Sequence, residues 1–210
     1  MQPENHHYPG NCLPQSPVIG VRMRTFLSYD IEDQPLIEKI KGLQRDLLRS
    51  SGADLKLVAP NTLHFTIRFL GEIEEVDKEN IVRKLSGNVG GYGQEVLFRG
   101  LGTFPDTRRI SVVWIGIDEA SAKKLAEHAA LVNRLLDSVP GIPKSDREVF
   151  SPHVTIARVK SGRNKERLVE AVRAHRDDEL GSAKITNLRL KLSTLTPSGP
   201  EYTDLHIFET

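Results

Sequence analysis

Residues 63–70 read LHFTIRFL, and residues 151–160 read SPHVTIARVK. Each stretch holds a histidine, one spacer and a threonine within a run of β-branched and apolar residues: His64 and Thr66, then His153 and Thr155. Side chains alternate between the two faces of a strand. His64 and Thr66 therefore share one face and Phe65 and Ile67 the other, and the same division separates His153 and Thr155 from Val154 and Ile156. The apolar residues anchor each strand in a core. The polar pair is left on the opposite face, where a buried imidazole or hydroxyl without a partner costs on the order of 1–3 kcal/mol. A wetted groove removes that cost.

Outward from these two stretches the chain repeats one order of elements. MRTFLSYDI (23–31) reads as a strand. In EDQPLIEKIKGLQRDLLRSSG (32–52), Leu36, Ile37, Ile40, Leu43, Leu47 and Leu48 recur at three- and four-residue steps, which predicts an amphipathic helix capped by Asp33 and stopped by Gly52. The first His-x-Thr strand follows in 55–71, then a short helix in 74–87 and a strand in 94–104. The order returns with a strand in 109–118, a helix in 120–139, the second His-x-Thr strand in 147–160, a short helix in 164–181 and a strand in 183–195. TDLHIFET (203–210) can add one more strand. The pattern is β-α-β-α-β twice, with the His-x-Thr strand third each time. One half alone buries too little surface to stand by itself. The expectation is therefore an α+β fold of two pseudo-symmetric lobes, with antiparallel-rich sheets facing each other across a central groove, all within one bilobal domain over 23–210.

Composition narrows the function. Lys and Arg total 29 against 28 Asp and Glu, a net charge of +1, so bulk attraction is not the main route to a polyanion, although a local basic patch can be. A single cysteine, Cys12, rules out an intrachain disulfide and points to a reducing, cytoplasmic setting. No apolar run approaches the roughly 20 residues that span a bilayer. Residues 1–22 hold four prolines and no periodicity, and read as a flexible extension in which His6 and His7 are solvated.

Two histidines across a groove suit one kind of chemistry, in which one imidazole takes a proton from a nucleophile while the other gives one to a leaving oxygen. An unperturbed pKa near 6.5 allows both roles at neutral pH. Threonine hydroxyls can donate to the non-bridging oxygens of a phosphate held between them. Histidines without cysteines or carboxylates at ligand spacing fall short of a zinc site, so no metal or cofactor is expected. No G-x-S-x-G pattern marks a serine nucleophile.

The twin motifs, with GLGTFPDTRRISVVWIGI (100–117), make the chain from Met23 to Thr210 resemble the 2H phosphoesterases, in the branch of RNA 2',3'-cyclic phosphodiesterases also named 2'-5' RNA ligases. The resemblance implies hydrolysis of a terminal 2',3'-cyclic phosphate to a 2'-phosphomonoester without a metal. It makes His153 the proton acceptor and His64 the proton donor, with Thr66 and Thr155 holding the phosphate. Arg158 matches a basic position of this branch, but an odd offset from His153 needs a bulge or strand end after Ala157 to turn it to the groove. Arg68 has the parity of His64 and Thr66 and can line the groove instead. Arg108, Arg109, Trp114 and Tyr29 can hold RNA phosphates or stack a base, or be loop charges and core aromatics. His128, on a helix, and His175, before an acidic run, read as surface residues, and His206 is excluded from catalysis. The expected partner is RNA with a cyclic phosphate end, tRNA halves among the candidates, with no membrane contact and a monomeric state. Two alternatives stay open: a 2'-5' ligase running the same chemistry backwards, and an RNA-binding module without catalysis.

Overall fold

The computed structural model describes residues 22–89, 92–145, 150–197 and 199–209. His6, His7, Cys12 and nearly all of the extension expected over 1–22 lie outside the described residues. The elements run β1 (Met23–Asp30), α1 (Gln34–Ser51), β2 (Leu55–Leu57), β3 (His64–Ile73), α2 (Glu75–Leu85), β4 (Gln94–Phe104), β5 (Val112–Ile117), α3 (Glu119–Leu136), β6 (Val154–Val159), α4 (Lys165–Ala174), β7 (Glu179–Ile185), β8 (Leu188–Thr196) and β9 (Gly199–Phe208). The caps of α1 form as expected. The Asp33 carboxylate accepts from Leu36 N–H at 2.8 Å, and Gly52 takes the left-handed turn at φ 60°, which a side chain would strain.

All nine strands join one antiparallel sheet in the order β7-β4-β5-β6-β3-β1-β8-β9, with β2 alongside β6. The pseudo-symmetry lies in that order: β3-β1-β8-β9 on one side mirrors β6-β5-β4-β7 on the other. The lobes are not the two halves of the chain, however. β4 closes the first half yet lies beside β5, and β8 lies beside β1, so each half lends its late strand to the other lobe. The stretch 183–195, expected as one strand, breaks at Thr186–Asn187 so that β7 serves one lobe and β8 the other. LKL (55–57), expected to lead into the first His-x-Thr strand, is a separate short strand paired with the second.

The lobes meet at the two motifs. β3 and β6 share a single registered pair, Phe65 with Val154. Phe65, Ile67, Val154 and Ile156 are buried to 4% exposure or less, while His64, Thr66, His153 and Thr155 are half-buried on the other face. The alternation read from the sequence holds for these eight residues. Helices cover the apolar face. From α1, Gln44 donates to the carbonyls of Ile156 (2.8 Å) and Val58 (2.9 Å). From α3, His128 meets Tyr29 of β1.

Candidate active site

A cavity of about 610 Å³ opens on the polar face where β3 and β6 touch. His64, Thr66, His153 and Thr155 all line it. In an antiparallel pair the registers run oppositely, so one step from Phe65–Val154 reaches His64 and Thr155 on one side, and Thr66 and His153 on the other. The two imidazoles are therefore diagonal neighbours on one face, a separation of roughly 7–8 Å in such a ladder. That gap admits a phosphate with an oxygen directed at each ring.

Both rings are held the same way. The Nδ1–H of His64 donates to the Thr62 carbonyl at 2.6 Å, and that of His153 to the Ser151 carbonyl at 2.8 Å. This fixes the tautomer and makes Nε2 the nitrogen of each ring that chemistry can use. Burial pushes the His64 imidazole below its ordinary value; the Thr62 hydrogen bond and the Asp30 carboxylate oppose this, while Lys191 and Arg158 reinforce it. The influence of Arg158 on His64 reflects how closely the second motif approaches the first.

The arginines divide, and the cause is a pair of matched bulges. On β1, Leu27 pairs with Arg68 and Ser28 with Thr66, so Ile67 has no partner there. On β5, Val113 pairs with Ala157 and Trp114 with Thr155, so Ile156 has none. Each bulge falls three residues after its histidine and reverses the parity beyond it. The fifth position after each histidine, Phe69 or Arg158, consequently lines the cavity. The fourth, Arg68 or Ala157, turns inward. Arg158 reaches the groove through a bulge at Ile156, one residue before the place expected. Arg68 does not reach it: it is 6% exposed, bonded to the carbonyls of Asn133 (3.2 Å) and Pro143, and paired with Asp137 at 2.8 Å. Simple alternation fails for Arg68 because it ignores the bulge.

The remaining candidates also separate. Tyr29 is fully buried, bonded to His128 Nε2 at 2.6 Å, with its phenol pushed above the usual range by burial. His128 is thus half-buried rather than a surface residue. Trp114 stands beside His153, 6.1 Å between ring centres, with Phe104 4.7 Å from the same ring. Arg108 and Arg109 lie exposed on a turn whose N–H groups donate to Asp106, away from the cavity. His175 bonds Asp178 at 2.7 Å, and His206 packs on Phe208.

Sequence reading missed Arg24, Lys56 and Tyr202, which also line the cavity. Arg24 was open to the parity argument, two residues from Phe26 on the same face; Lys56 and Tyr202 depend on pairings of β2 and β9 that no local pattern reveals. With Arg158, the lining holds three cations and no carboxylate, on a chain of net charge +1. The local basic patch suits a phosphate-bearing ligand. Among the described residues, no group of three or more His, Cys, Asp or Glu is placed to hold a metal ion, and no helix is long and apolar enough to cross a membrane.

This arrangement has relatives. The family described as the AKAP7 2'5' RNA ligase-like domain matches residues 24–203. The chain belongs to the 2H phosphoesterases. An RNA 2',3'-cyclic phosphodiesterase of Methanothermobacter thermautotrophicus is 35% identical to this 2H protein over 193 residues, 90% of this chain and 99% of the relative. Another of that name, from Aquifex aeolicus, is 38% identical over 154 residues, 73% of this chain and 80% of the relative. Among solved structures, TT0787 of Thermus thermophilus aligns with a TM-score of 0.68 at 25% identity, covering 89% of this chain and 97% of its own. Escherichia coli LigT complexed with 3'-AMP shares the 2H fold at a TM-score of 0.68 and 20% identity, over 90% of this chain and 98% of its own.

Proposed function

We propose that this 2H protein is an RNA 2',3'-cyclic phosphodiesterase that leaves a 2'-phosphomonoester and needs no metal. The observation that carries the reading is the diagonal of two carbonyl-anchored imidazoles in one cation-lined cavity. His153 takes a proton from water as the water oxygen bonds to phosphorus; the bond from phosphorus to the 3'-oxygen breaks, and His64 gives that oxygen its proton. Each ring then exchanges with solvent to reset. Thr66, Thr155 and Arg158 hold the non-bridging oxygens, where their donors meet the charge that grows in the transition state. Names of relatives in archaea and bacteria support the substrate class. The proposed setting is a cytoplasmic monomer acting on RNA ends such as those of tRNA halves.

The test is the opening of an oligoribonucleotide 2',3'-cyclic phosphate in EDTA, with the product's phosphate placed by NMR. A 2'-phosphate formed at an undiminished rate supports the proposal; a 3'-phosphate, or activity lost to the chelator, refutes it. The family description favours a second reading, in which an RNA 5'-hydroxyl replaces water and a 2'-5' bond forms. Paired tRNA halves incubated at high concentration, then probed for a 2'-5' junction, separate the two.

A further inference from the structure

Beside His64, on the cavity face of β1, β8 and β9, lies an ionic network that the chemistry above does not use. Asp30 is the registered partner of His64 across the β1–β3 ladder, and such partners share a face with Cβ atoms roughly 4.5–5.5 Å apart. Asp30 Oδ2 lies 2.7 Å from the Lys191 ammonium and 3.6 Å from Arg189. Lys191, only 6% exposed, is also 2.7 Å from Asp204 Oδ1. Arg189 pairs in turn with Asp204 (2.6 Å) and with Glu32. A lysine this buried is costly unless its partners are fixed, and the two carboxylates fix it.

We propose that Asp30 is a positioning residue for the proton donor: anchored by Lys191, it holds a negative charge beside His64 so that the buried ring can carry a proton. The catalytic part of this proposal rests on the assignment of His64 as donor; the ionisation itself does not. The charges around His64 favour no other source of help. Lys191 on β8 and Arg158 on β6 oppose protonation and the Asp30 carboxylate favours it, Asp204 on β9 and Glu32 after β1 pair with Arg189, and Phe26 and Tyr202 lie ring to ring with His64. Without Asp30, the ring would sit among cations in a desolvated corner.

The experiment compares Asp30→Asn with Asp204→Asn in the full chain. Each removes one carboxylate from Lys191 at the same 2.7 Å, and Asp204 also pairs more closely with Arg189, so a purely structural role predicts that Asp204→Asn is at least as disruptive as Asp30→Asn. The His64 ring is followed by 1H–13C NMR titration without substrate, identified by its loss in His64→Gln. Asp30→Asn is expected to move the His64 titration to lower pH and Asp204→Asn to leave it in place; Asp30→Glu should restore it. In kcat/KM, the alkaline limb moves acidward in Asp30→Asn alone, lowering the rate at pH 8 on the order of tenfold. Unmoved or equally moved titrations in the two variants overturn the proposal. A moved titration with an unmoved alkaline limb retains the ionisation and overturns the donor assignment. If Asp30→Asn does not fold, Ser28→Asp is read instead: Ser28 is the registered partner of Thr66, two residues from Asp30 on the same face, and the added charge must then raise the His64 titration.

Discussion

Across the ladder from His64 stands Asp30, a carboxylate tied to Lys191 and Arg189. Carrying the β5–β6 ladder one residue beyond Ile115 and Val154 puts Gly116 opposite His153, with the Trp114 indole opposite Thr155. Seen from the cavity the two motifs are alike: histidine, threonine, a bulge three residues on, an inward fourth residue and a cavity-facing fifth. One strand away they differ: aromatic rings flank both imidazoles, but the ladder partner of His64 belongs to an ion-pair network and that of His153 is a glycine beside an indole. Gly116 and Gly102 make room for that indole, since a Cβ at 116 would lie 3.2 Å from the Trp114 ring and one at 102 only 2.1 Å from it. A duplicated strand supplies two equivalent imidazoles, whereas the proposed mechanism, with water attack at one apex and alkoxide departure at the other, needs unequal ones. The neighbouring strands supply the inequality.

The largest expected effect tests the likeness. His64→Ala and His153→Ala should each lower kcat by about 10²–10⁴ with little change in melting temperature, and the double variant should lose little more than the worse single one. A defect near the product of the two would mean that the rings act in separate steps.

The bulges give the next test, because they send two arginines to different work. Arg158→Gln should cost roughly ten- to a hundredfold in kcat/KM with an unchanged melting curve, having lost a charged hydrogen bond to the phosphate. Arg68→Gln should do the reverse, destabilising by roughly 2–4 kcal/mol as Asp137 and two carbonyls lose their donor, with kcat/KM per folded molecule unchanged. Thermal melts run beside kinetics decide both. If the two variants exchange behaviour, the bulge register is wrong.

Gly102→Ala probes the His153 side alone. The indole must move, taking the wall of His153 with it, and kcat/KM should fall on the order of tenfold or more while the His64 titration stays in place. The smallest effect is on stability. The folded state depresses the pKa of both His64 and His128 through burial, so their contribution is intact above the ordinary value of 6.5 and is lost as pH falls through the folded-state values. His64→Gln should flatten that decline over its upper range, as read from melting temperatures between pH 8 and 5. Asp118, held low first by its hydrogen bond with Ser121, and Asp204, which burial pushes up but Lys191 and Arg189 hold low, act only below their ordinary value of 3.8, outside that window.

Legibility followed the range of the interactions. Alternation about His64 and His153, the periodicity of α1 and its caps are local, and LHFTIRFL and SPHVTIARVK sufficed to pair the motifs and to expect a groove. What escaped depends on pairing between strands distant in the chain. The bulge opposite Leu27 and Ser28 exists only in the β1–β3 register, so parity led Arg68 to the wrong face. Gln44, absent from the apolar series read for α1, is 4% exposed and bonded to the bulged Ile156 carbonyl. Asp30 read as the end of a strand, because its partners Lys191 and Arg189 lie more than 150 residues further along. Lys56 was hidden by a three-residue strand too short to show a period.

The reciprocal loan of β4 and β8 also governs how this molecule can be divided. A fragment ending at Phe104 carries one His-x-Thr motif, but it leaves β1 bare on one flank and β4 with nothing to lie against. The complementary fragment leaves β5 bare on one flank, β7 with nothing to lie against and β8 with β9 alone. Severed in the turn at 106–109, the two pieces have to re-knit, each completing the other, before either motif has a facing companion. A half-length gene product is therefore no feeble version of the whole, and activity should return only upon mixing, as the product of both concentrations.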